Sequence, residues 1–239
     1  MAEDRSEQVL INLLAAIGQI SAIAGPDALQ NDLRSHMFDH YGVSERNWYK
    51  IDPKVQKHMI AFRDGINHFY TTHPDKTPVW WTGRKVDEYM LISFGRLFLY
   101  NWSIDEAYED LERGGIEPGY NKVSRGSNQF AVAPDRTSNG NAILAIDPHL
   151  SWFAPSRFWE CGIHAGDLHA SGVTLAGSPY IGLGHNENLA WSMTTGGPDT
   201  ADIYKLTLKL GDPTKYKYDD EWRSLTSKEI TLNVRGIGK

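Results

Sequence analysis

A short stretch rich in glycine and proline divides this chain into two portions with different hydrophobic patterns. Such a composition breaks regular secondary structure. Before the stretch, apolar residues recur at spacings of three and four, and after it they alternate or form short runs. The pattern predicts helices in residues 1–113, a connecting segment at 114–126 and strands in residues 127–239. The residues that define the connecting segment are Gly114, Gly115, Pro118, Gly119 and Gly126.

Four segments of the first portion carry helical periodicity. The predicted helices cover residues 9–24, 53–71, 86–99 and 103–113. Gly25 and Pro26 end the first of them, and Ser103 suits the N-cap of the last. The first segment follows an acidic N-terminus and is interrupted by Asn12 and Gln19, so it predicts neither a membrane span nor a signal peptide.

The second portion carries the signals of antiparallel strands. Two apolar runs, 130–133 and 142–146, flank a turn that contains Asn139 and Gly140, which predicts a hairpin. Further predicted strands cover residues 158–164, 172–176, 189–195 and 202–210. The alternating segments 215–222 and 228–234 predict a last hairpin. The expected fold class is therefore α+β.

Composition excludes two classes of protein. Lys and Arg number 24 against 30 Asp and Glu, so the formal net charge is −6 and no basic field exists to hold nucleic-acid phosphates. The single cysteine, Cys161, excludes an internal disulfide and a multi-cysteine zinc site. An apolar fraction of 41% is enough for a sizeable core.

Histidines in the second portion raise the question of a zinc site. Two side chains that are five residues apart on one strand point to opposite faces of the sheet, so we expect His164 and His169 not to share a metal. A metallohydrolase that uses His149, His164 and His185 is a competing hypothesis, and it predicts stoichiometric zinc.

Residues 126–150, GSNQFAVAPDRTSNGNAILAIDPHL, resemble the chain-start signature of the penicillin and cephalosporin acylases, which are N-terminal nucleophile hydrolases. Residues 184–204 resemble a second block of that family, and residues 2–8 and 62–67 resemble its early helices. The resemblance implies a four-layer αββα sandwich. Family members begin before the first of these helices and continue well past Lys239, so we expect this chain to be a fragment, with 127–239 the start of a larger chain.

The resemblance gives the connecting segment a processing role. Alone, Ser127 in a Gly-Ser-Asn tripeptide is typical of an ordinary loop, and His149 is typical of a polar residue that closes a hairpin. The resemblance implies self-cleavage between Gly126 and Ser127, after which the new α-amine of Ser127 activates its own hydroxyl. It also implies that His149 hydrogen-bonds near that amine.

The resemblance further implies an oxyanion hole and an acyl pocket. The backbone N–H of Thr195 would be one oxyanion donor, and the family's second donor, an asparagine side chain, lies beyond Lys239. The implied pocket residues are Arg96 at the gate with Leu97, Leu150, Leu183 and Met193 in the lining, although core packing explains such residues equally well. An aliphatic lining predicts a preference for non-aromatic acyl groups over phenylacetyl.

Two aspartates suggest a structural calcium ion. The carboxylates of Asp199 and Asp202, with the carbonyl of Ala201 between them, suit a hard cation, although a solvated acidic turn has the same sequence. Calcium-binding family members add a glutamate where this chain has Ser103, which weakens the predicted site. No cofactor is expected for catalysis.

The sequence thus predicts an amidohydrolase that cleaves the side-chain amide of a β-lactam or an N-acyl homoserine lactone through an acyl-enzyme. Its partners would be the small-molecule amide and the two chains cut from one precursor, with no nucleic acid and no membrane span. The resemblance implies a periplasmic or extracellular location, which the sequence itself does not specify. The alternative is a non-catalytic truncated fragment or a binding module with the same fold.

Overall fold

The computed structural model describes residues 1–117, 126–152, 155–194 and 200–237. Within these residues helices come first and strands second, as predicted. The helices are α1 (Ser6–Ala16), α2 (Ser21–Ala24), α3 (Leu29–Met37), α4 (His40–Asn47), α5 (Pro53–Thr72) and α6 (Glu88–Arg113). The strands are β1 (Gly126–Val132), β2 (Ile143–His149), β3 (Phe158–Ala165), β4 (Leu168–Leu175), β5 (Leu183–His185), β6 (Ala190–Trp191), β7 (Leu208–Lys209), β8 (Asp212–Tyr218) and β9 (Glu221–Ser224).

The described strands form three antiparallel sheets with the orders β1-β2, β3-β4-β5-β6 and β7-β8-β9. The α+β class is therefore confirmed, while the four-layer sandwich and the division at 113 and 126 stay predictions. None of the helices in the described part of the chain is long and apolar enough to cross a membrane.

The main hydrophobic core surrounds α1. Val9, Leu10, Leu13 and Leu14 of this helix have no solvent exposure, and burial of each such side chain contributes about 1.5–3 kcal/mol. The core also reaches the sheets, because Gly177, just after β4, packs its backbone close to Leu13. The side-chain amide of Asn12 donates to the Ala176 carbonyl at 2.7 Å. These contacts fix the four-stranded sheet on the helices.

The predicted helix over 9–24 is wrong in its middle. The chain leaves the helix at Ala16, passes through Gly18 at a φ of +71° and resumes at Ser21. Asp32 stabilises this break, since its two carboxylate oxygens accept from the backbone N–H groups of Ile20 at 3.0 Å and Ser21 at 2.8 Å. The predicted end at Gly25 is confirmed.

The other three helix predictions differ in outcome. Helix α5 agrees with the prediction to within one residue, with Pro53 in its first turn and the Asp52 carboxylate accepting from Lys54 N–H at 2.8 Å. The separate helices over 86–99 and 103–113 are wrong, because α6 runs through both. Ser103 therefore lies in the middle of α6 rather than at a helix N-cap. Continuing a helix costs less than starting a new one, so no break forms where no Gly or Pro requires it.

The strand predictions hold best where a turn is strongly marked. The β1-β2 hairpin and β3 are confirmed, and β4 begins four residues before its predicted start. Of the described residues in 189–194 and 202–210, only Ala190–Trp191 and Leu208–Lys209 are strand. The last predicted hairpin is wrong, because β8 turns at Asp219, which has a φ of +51°, and pairs with β9. The described segment 228–233 forms no strand and lies against α2, where Ser21 Oγ donates to the Asn233 carbonyl at 3.1 Å.

Candidate active site

The β1-β2 hairpin brings Ser127 and His149 together. In its register Gly126 pairs with His149, Ser127 with Pro148 and Asn128 with Asp147. Residues that are distant in sequence therefore lie side by side at the open end of the hairpin, where β1 begins and β2 ends. The connecting segment enters the sheet at this point, although its residues 118–125 lie outside the described part of the chain.

The hydroxyl of Ser127 lies against the peptide bond that precedes it. Its Oγ donates to the Gly126 carbonyl oxygen at 2.5 Å. The carbonyl oxygen of Ser127 itself accepts from Thr194 Oγ1 at 2.7 Å. Ser192 Oγ likewise donates to Gln129 Oε1. These two hydrogen bonds hold the segment after β6 against the start of β1, where Ser127 lies.

His149 is oriented by a carboxylate on its own strand. Its Nε2 lies 2.9 Å from Asp147 Oδ2. The carboxylate only accepts, so Nε2 carries the proton and the neutral ring keeps its lone pair on Nδ1. A Cβ built on Gly126 would lie 3.9 Å from this Nδ1, so Nδ1 lies close to Gly126, the residue that precedes Ser127.

The same contacts change the titration of Asp147. Hydrogen bonds from His149 and from the Asn128 amide, which lies 3.5 Å from Oδ2, lower the pKa of the Asp147 carboxyl. Asp147 is therefore ionised at neutral pH and acts as the acceptor that fixes the tautomer of His149. The hairpin end carries a hydroxyl, an oriented imidazole and an ionised carboxylate.

The five predicted pocket residues lie in different surroundings. Leu97 on α6 is buried in the main core, and Leu183 on β5 is also buried. The Arg96 guanidinium lies 4.9 Å from the centre of the Tyr100 ring. Met193 is 60% exposed, and Leu150 lines a cavity of about 60 Å³. Among described residues, the other lining groups of that cavity are Phe98, Asn101, Trp102, Pro155 and Ser156.

The predicted oxyanion donor Thr195 and the predicted calcium ligand Asp199 lie outside the described residues. Ser103 on α6 lies next to Thr200, because its Oγ is 3.0 Å from Thr200 Oγ1. Asp202 accepts from the Tyr204 hydroxyl at 3.4 Å. In the described ranges, no group of three or more His, Cys, Asp or Glu side chains is arranged to hold a metal ion.

The expectation that His164 and His169 point to opposite faces of one strand is wrong. A turn separates His164 from His169, and the two are cross-strand partners on β3 and β4, so their side chains share one face of the sheet. Their Nδ1 atoms are 3.1 Å apart. His149, by contrast, belongs to the β1-β2 sheet, so the described structure does not assemble the proposed trio of His149, His164 and His185 around a metal.

The sequence profile described as penicillin amidase matches residues 1–239. This chain belongs to the penicillin amidase family. The match confirms the resemblance that residues 126–150 and 184–204 carry.

Curated relatives of this penicillin amidase family chain include acyl-homoserine lactone acylases. This chain is 25% identical to acyl-homoserine lactone acylase QuiP of Pseudomonas aeruginosa over an alignment that covers 98% of this chain and 34% of the relative. It is 36% identical to acyl-homoserine lactone acylase PvdQ of Pseudomonas fluorescens and 34% identical to that of Pseudomonas putida, each over 48% of this chain and 15% of the relative. The chain thus spans about a third or less of the length of these relatives.

Two residues of this candidate site, Asp147 and Thr194, were not predicted from the sequence. Asp147 could have been found, because side chains two apart on a strand share a face and Asp147 stands two before His149. Thr194 gave no such signal, since its contact with Ser127 depends on how the two sheets meet.

Proposed function

We propose that this chain is part of an acylase that hydrolyses a side-chain amide through an acyl-enzyme on Ser127, after the chain is cut between Gly126 and Ser127. The observation that carries the proposal is the position of the Ser127 hydroxyl, 2.5 Å from the Gly126 carbonyl oxygen. Nδ1 of His149 lies close to Gly126. A nucleophile, the bond to be cut and a proton acceptor are thus gathered at one hairpin end.

The cut follows from this arrangement in two balanced steps. Ser127 Oγ turns from the carbonyl oxygen to the carbonyl carbon of Gly126, and its proton passes to His149 Nδ1. The bond between that carbon and the Ser127 nitrogen then breaks, the nitrogen takes the proton, and an ester links Gly126 to Ser127 Oγ. Water hydrolyses the ester, which leaves a carboxylate on Gly126 and a free amine and hydroxyl on Ser127.

The cut converts Ser127 into a nucleophile with its own base. An α-amine has a pKa of about 8, so a useful fraction is unprotonated at neutral pH and accepts the hydroxyl proton during attack on the substrate amide. The leaving amine takes that proton, and water then hydrolyses the acyl-enzyme. His149, held by Asp147, orients the Ser127 amine.

The developing oxyanion needs two donors. We assign one to the backbone N–H of Thr195, supported by the hydrogen bond that its neighbour Thr194 makes to the Ser127 carbonyl oxygen. The second donor belongs to the part of the family fold that follows Lys239. The complete protein would be the four-layer αββα sandwich, with the two cut chains remaining together. A structural calcium ion at Asp199, Ala201 and Asp202 completes the proposal.

The relatives named acyl-homoserine lactone acylases support an N-acyl homoserine lactone as the substrate, with the side-chain amide of a β-lactam as the other candidate. The acyl chain would contact Leu97, Leu150, Leu183 and Met193, with Arg96 at the entrance. Since none of these side chains is aromatic, we expect straight-chain acyl groups to react faster than phenylacetyl groups.

Chromatographic assay of amide hydrolysis tests this proposal. The intact protein is given octanoyl-homoserine lactone or a phenylacetyl amide, beside Ser127→Ala and the control Ser227→Ala, which changes an exposed serine. We expect faster cleavage of the octanoyl substrate and a loss of at least about a thousandfold in Ser127→Ala only. A faster phenylacetyl reaction overturns the pocket assignment, and full activity in Ser127→Ala overturns the nucleophile.

A further inference from the structure

The turn end of the β3-β4 hairpin places two imidazoles edge to edge. His164 and His169 face each other across the strands, and residues 166–167 form the turn beyond them. Gly166 adopts a φ of +56°, a conformation that glycine tolerates and that allows the turn to be tight. The two Nδ1 atoms are 3.1 Å apart, and both rings are exposed to solvent. This pair has no part in the proposed acylase chemistry.

The turn fixes the tautomer of one imidazole. His169 Nε2 lies 3.0 Å from the Gly166 carbonyl oxygen, which can only accept a hydrogen bond. Nε2 of His169 therefore carries the proton, and the neutral ring keeps its lone pair on Nδ1. That lone pair points at Nδ1 of His164, which donates to it when no metal is bound. Metal-binding histidines have this same arrangement, with the second ring nitrogen donating to a backbone carbonyl.

The spacing of the two nitrogens suits a shared metal ion. Two nitrogen ligands at 2.0–2.1 Å from a tetrahedral zinc ion are about 3.3 Å apart. The observed 3.1 Å differs from this by only a few tenths of an ångström. A metal would replace the proton between the rings, and that proton would move to Nε2 of His164, so both imidazoles remain neutral ligands.

A carboxylate stands next to the pair. Glu187 Oε1 lies 3.8 Å from His169 Nδ1, and its side chain is 64% exposed. His185 is on the same face, because its strand partner Ser171 is two residues from His169. As placed, the described side chains supply two ligands rather than three, and a rotation of Glu187 brings in the third.

We propose that the β3-β4 hairpin end binds one divalent transition-metal ion through Nδ1 of His164 and Nδ1 of His169, with Glu187 as the third ligand and water completing the tetrahedron. Imidazole nitrogens with one carboxylate select zinc and its neighbours over calcium or magnesium. The bound ion would link β3 and β4 to the loop after β5. This site lies in a different sheet from Ser127 and does not depend on the proposed acylase function.

Isothermal titration of the full chain with zinc chloride, in a buffer that does not bind metal, tests the site. We expect one zinc ion per chain. His164→Ala and His169→Ala should each weaken binding by at least about tenfold, and Glu187→Gln by a smaller factor. The matched control, His68→Ala, changes an exposed histidine on α5 and should leave the affinity unchanged. Absence of binding, or equal binding by the hairpin variants, overturns the proposal.

Nitrogen NMR on the unmutated chain gives a second readout that does not rely on the folding of a variant. Without metal, His169 should show a protonated Nε2 and an unprotonated Nδ1. Zinc should shift the Nδ1 signals of His164 and His169 and leave His169 Nε2 protonated. A zinc-induced shift at His169 Nε2 instead of Nδ1 contradicts the proposed ligand atoms.

Discussion

The helical portion and the strand portion of this chain bury their apolar side chains to different extents. The main core consists almost entirely of residues from the helices and their connections. Among the described residues, the strand portion adds only Leu175 and Ala176 to the buried part of this core. On the β1-β2 hairpin, by contrast, Phe130 is 65% exposed and Ile143 is 49% exposed. The difference indicates that the helices carry the stability, while the candidate chemistry lies on a lightly packed hairpin. Substitutions in the helical core should therefore change the free energy of unfolding, whereas substitutions at the open end of the hairpin should change the rate of chain cleavage.

The largest expected effect on stability is in α1. Leu13→Ala removes a fully buried side chain that lies against Gly177, so the free energy of unfolding should fall by about 2–5 kcal/mol. Urea denaturation measures this. The matched change Ile143→Ala on the hairpin should cost less than about 1 kcal/mol, and equal costs for the two variants would remove the contrast between the portions.

A pH dependence should arise from His40, which is 1% exposed on α4. Burial, together with the nearby charge of Arg96, lowers the pKa of the His40 imidazole to about 4. The unfolded chain, with a histidine pKa of about 6.5, takes up this proton first as the pH falls. The stability of the folded chain should therefore decrease between about pH 6.5 and about pH 4, by up to about 3 kcal/mol.

His40→Phe checks the assignment, because it removes the titrating group and keeps a planar ring beside Phe38 and Tyr100. Denaturation curves at pH 7.5 and 4.5 should differ less for the variant than for the parent. The same loss of stability in both proteins would show that other groups cause it.

A moderate effect is expected where the first helical segment breaks. Asp32→Ala leaves the backbone N–H groups of Ile20 and Ser21 without their acceptor, so we expect a cost of about 1–3 kcal/mol in the free energy of unfolding. Asp32→Asn retains one oxygen and should lose less. If the alanine variant is as stable as the parent, the carboxylate does not hold the break.

The smallest effect on stability, and a clear effect on cleavage, is expected at Asp147. Asp147→Asn removes the carboxylate that fixes the tautomer of His149, so chain cleavage should slow by about tenfold or more while the denaturation curve stays unchanged. Asp135→Asn changes an exposed carboxylate in the turn of the same hairpin and serves as the control. Gel analysis of the cleavage time course measures both.

Local sequence signals predicted the elements that local interactions determine. Helix α5 has regular apolar spacing and a Pro start, and the β1-β2 hairpin has an Asn-Gly turn. The break after α1 was not predictable locally, because Asp32, from α3, provides the hydrogen bonds that stabilise it. The pairing of His164 with His169 does not follow from a spacing of five residues along one strand, because Gly166 and Asp167 between them form a turn and are typical turn residues.

The candidate site was predictable only in part. The family resemblance singled out Ser127 and His149, and the hairpin register explains why they meet. The positions of Leu97, Leu150, Leu183 and Met193 relative to one another depend on how helices and sheets pack. Local patterns do not encode that packing, so the acyl pocket remains a proposal.

Self-cleavage at Ser127 is tested most directly by the intact mass of the purified protein after incubation near neutral pH, beside Ser127→Ala and Ser227→Ala. We expect two pieces for the parent and for Ser227→Ala, separated between Gly126 and Ser127, and one uncut chain for Ser127→Ala. A parent that keeps its full mass, or a Ser127→Ala variant cut at the same bond, would contradict it.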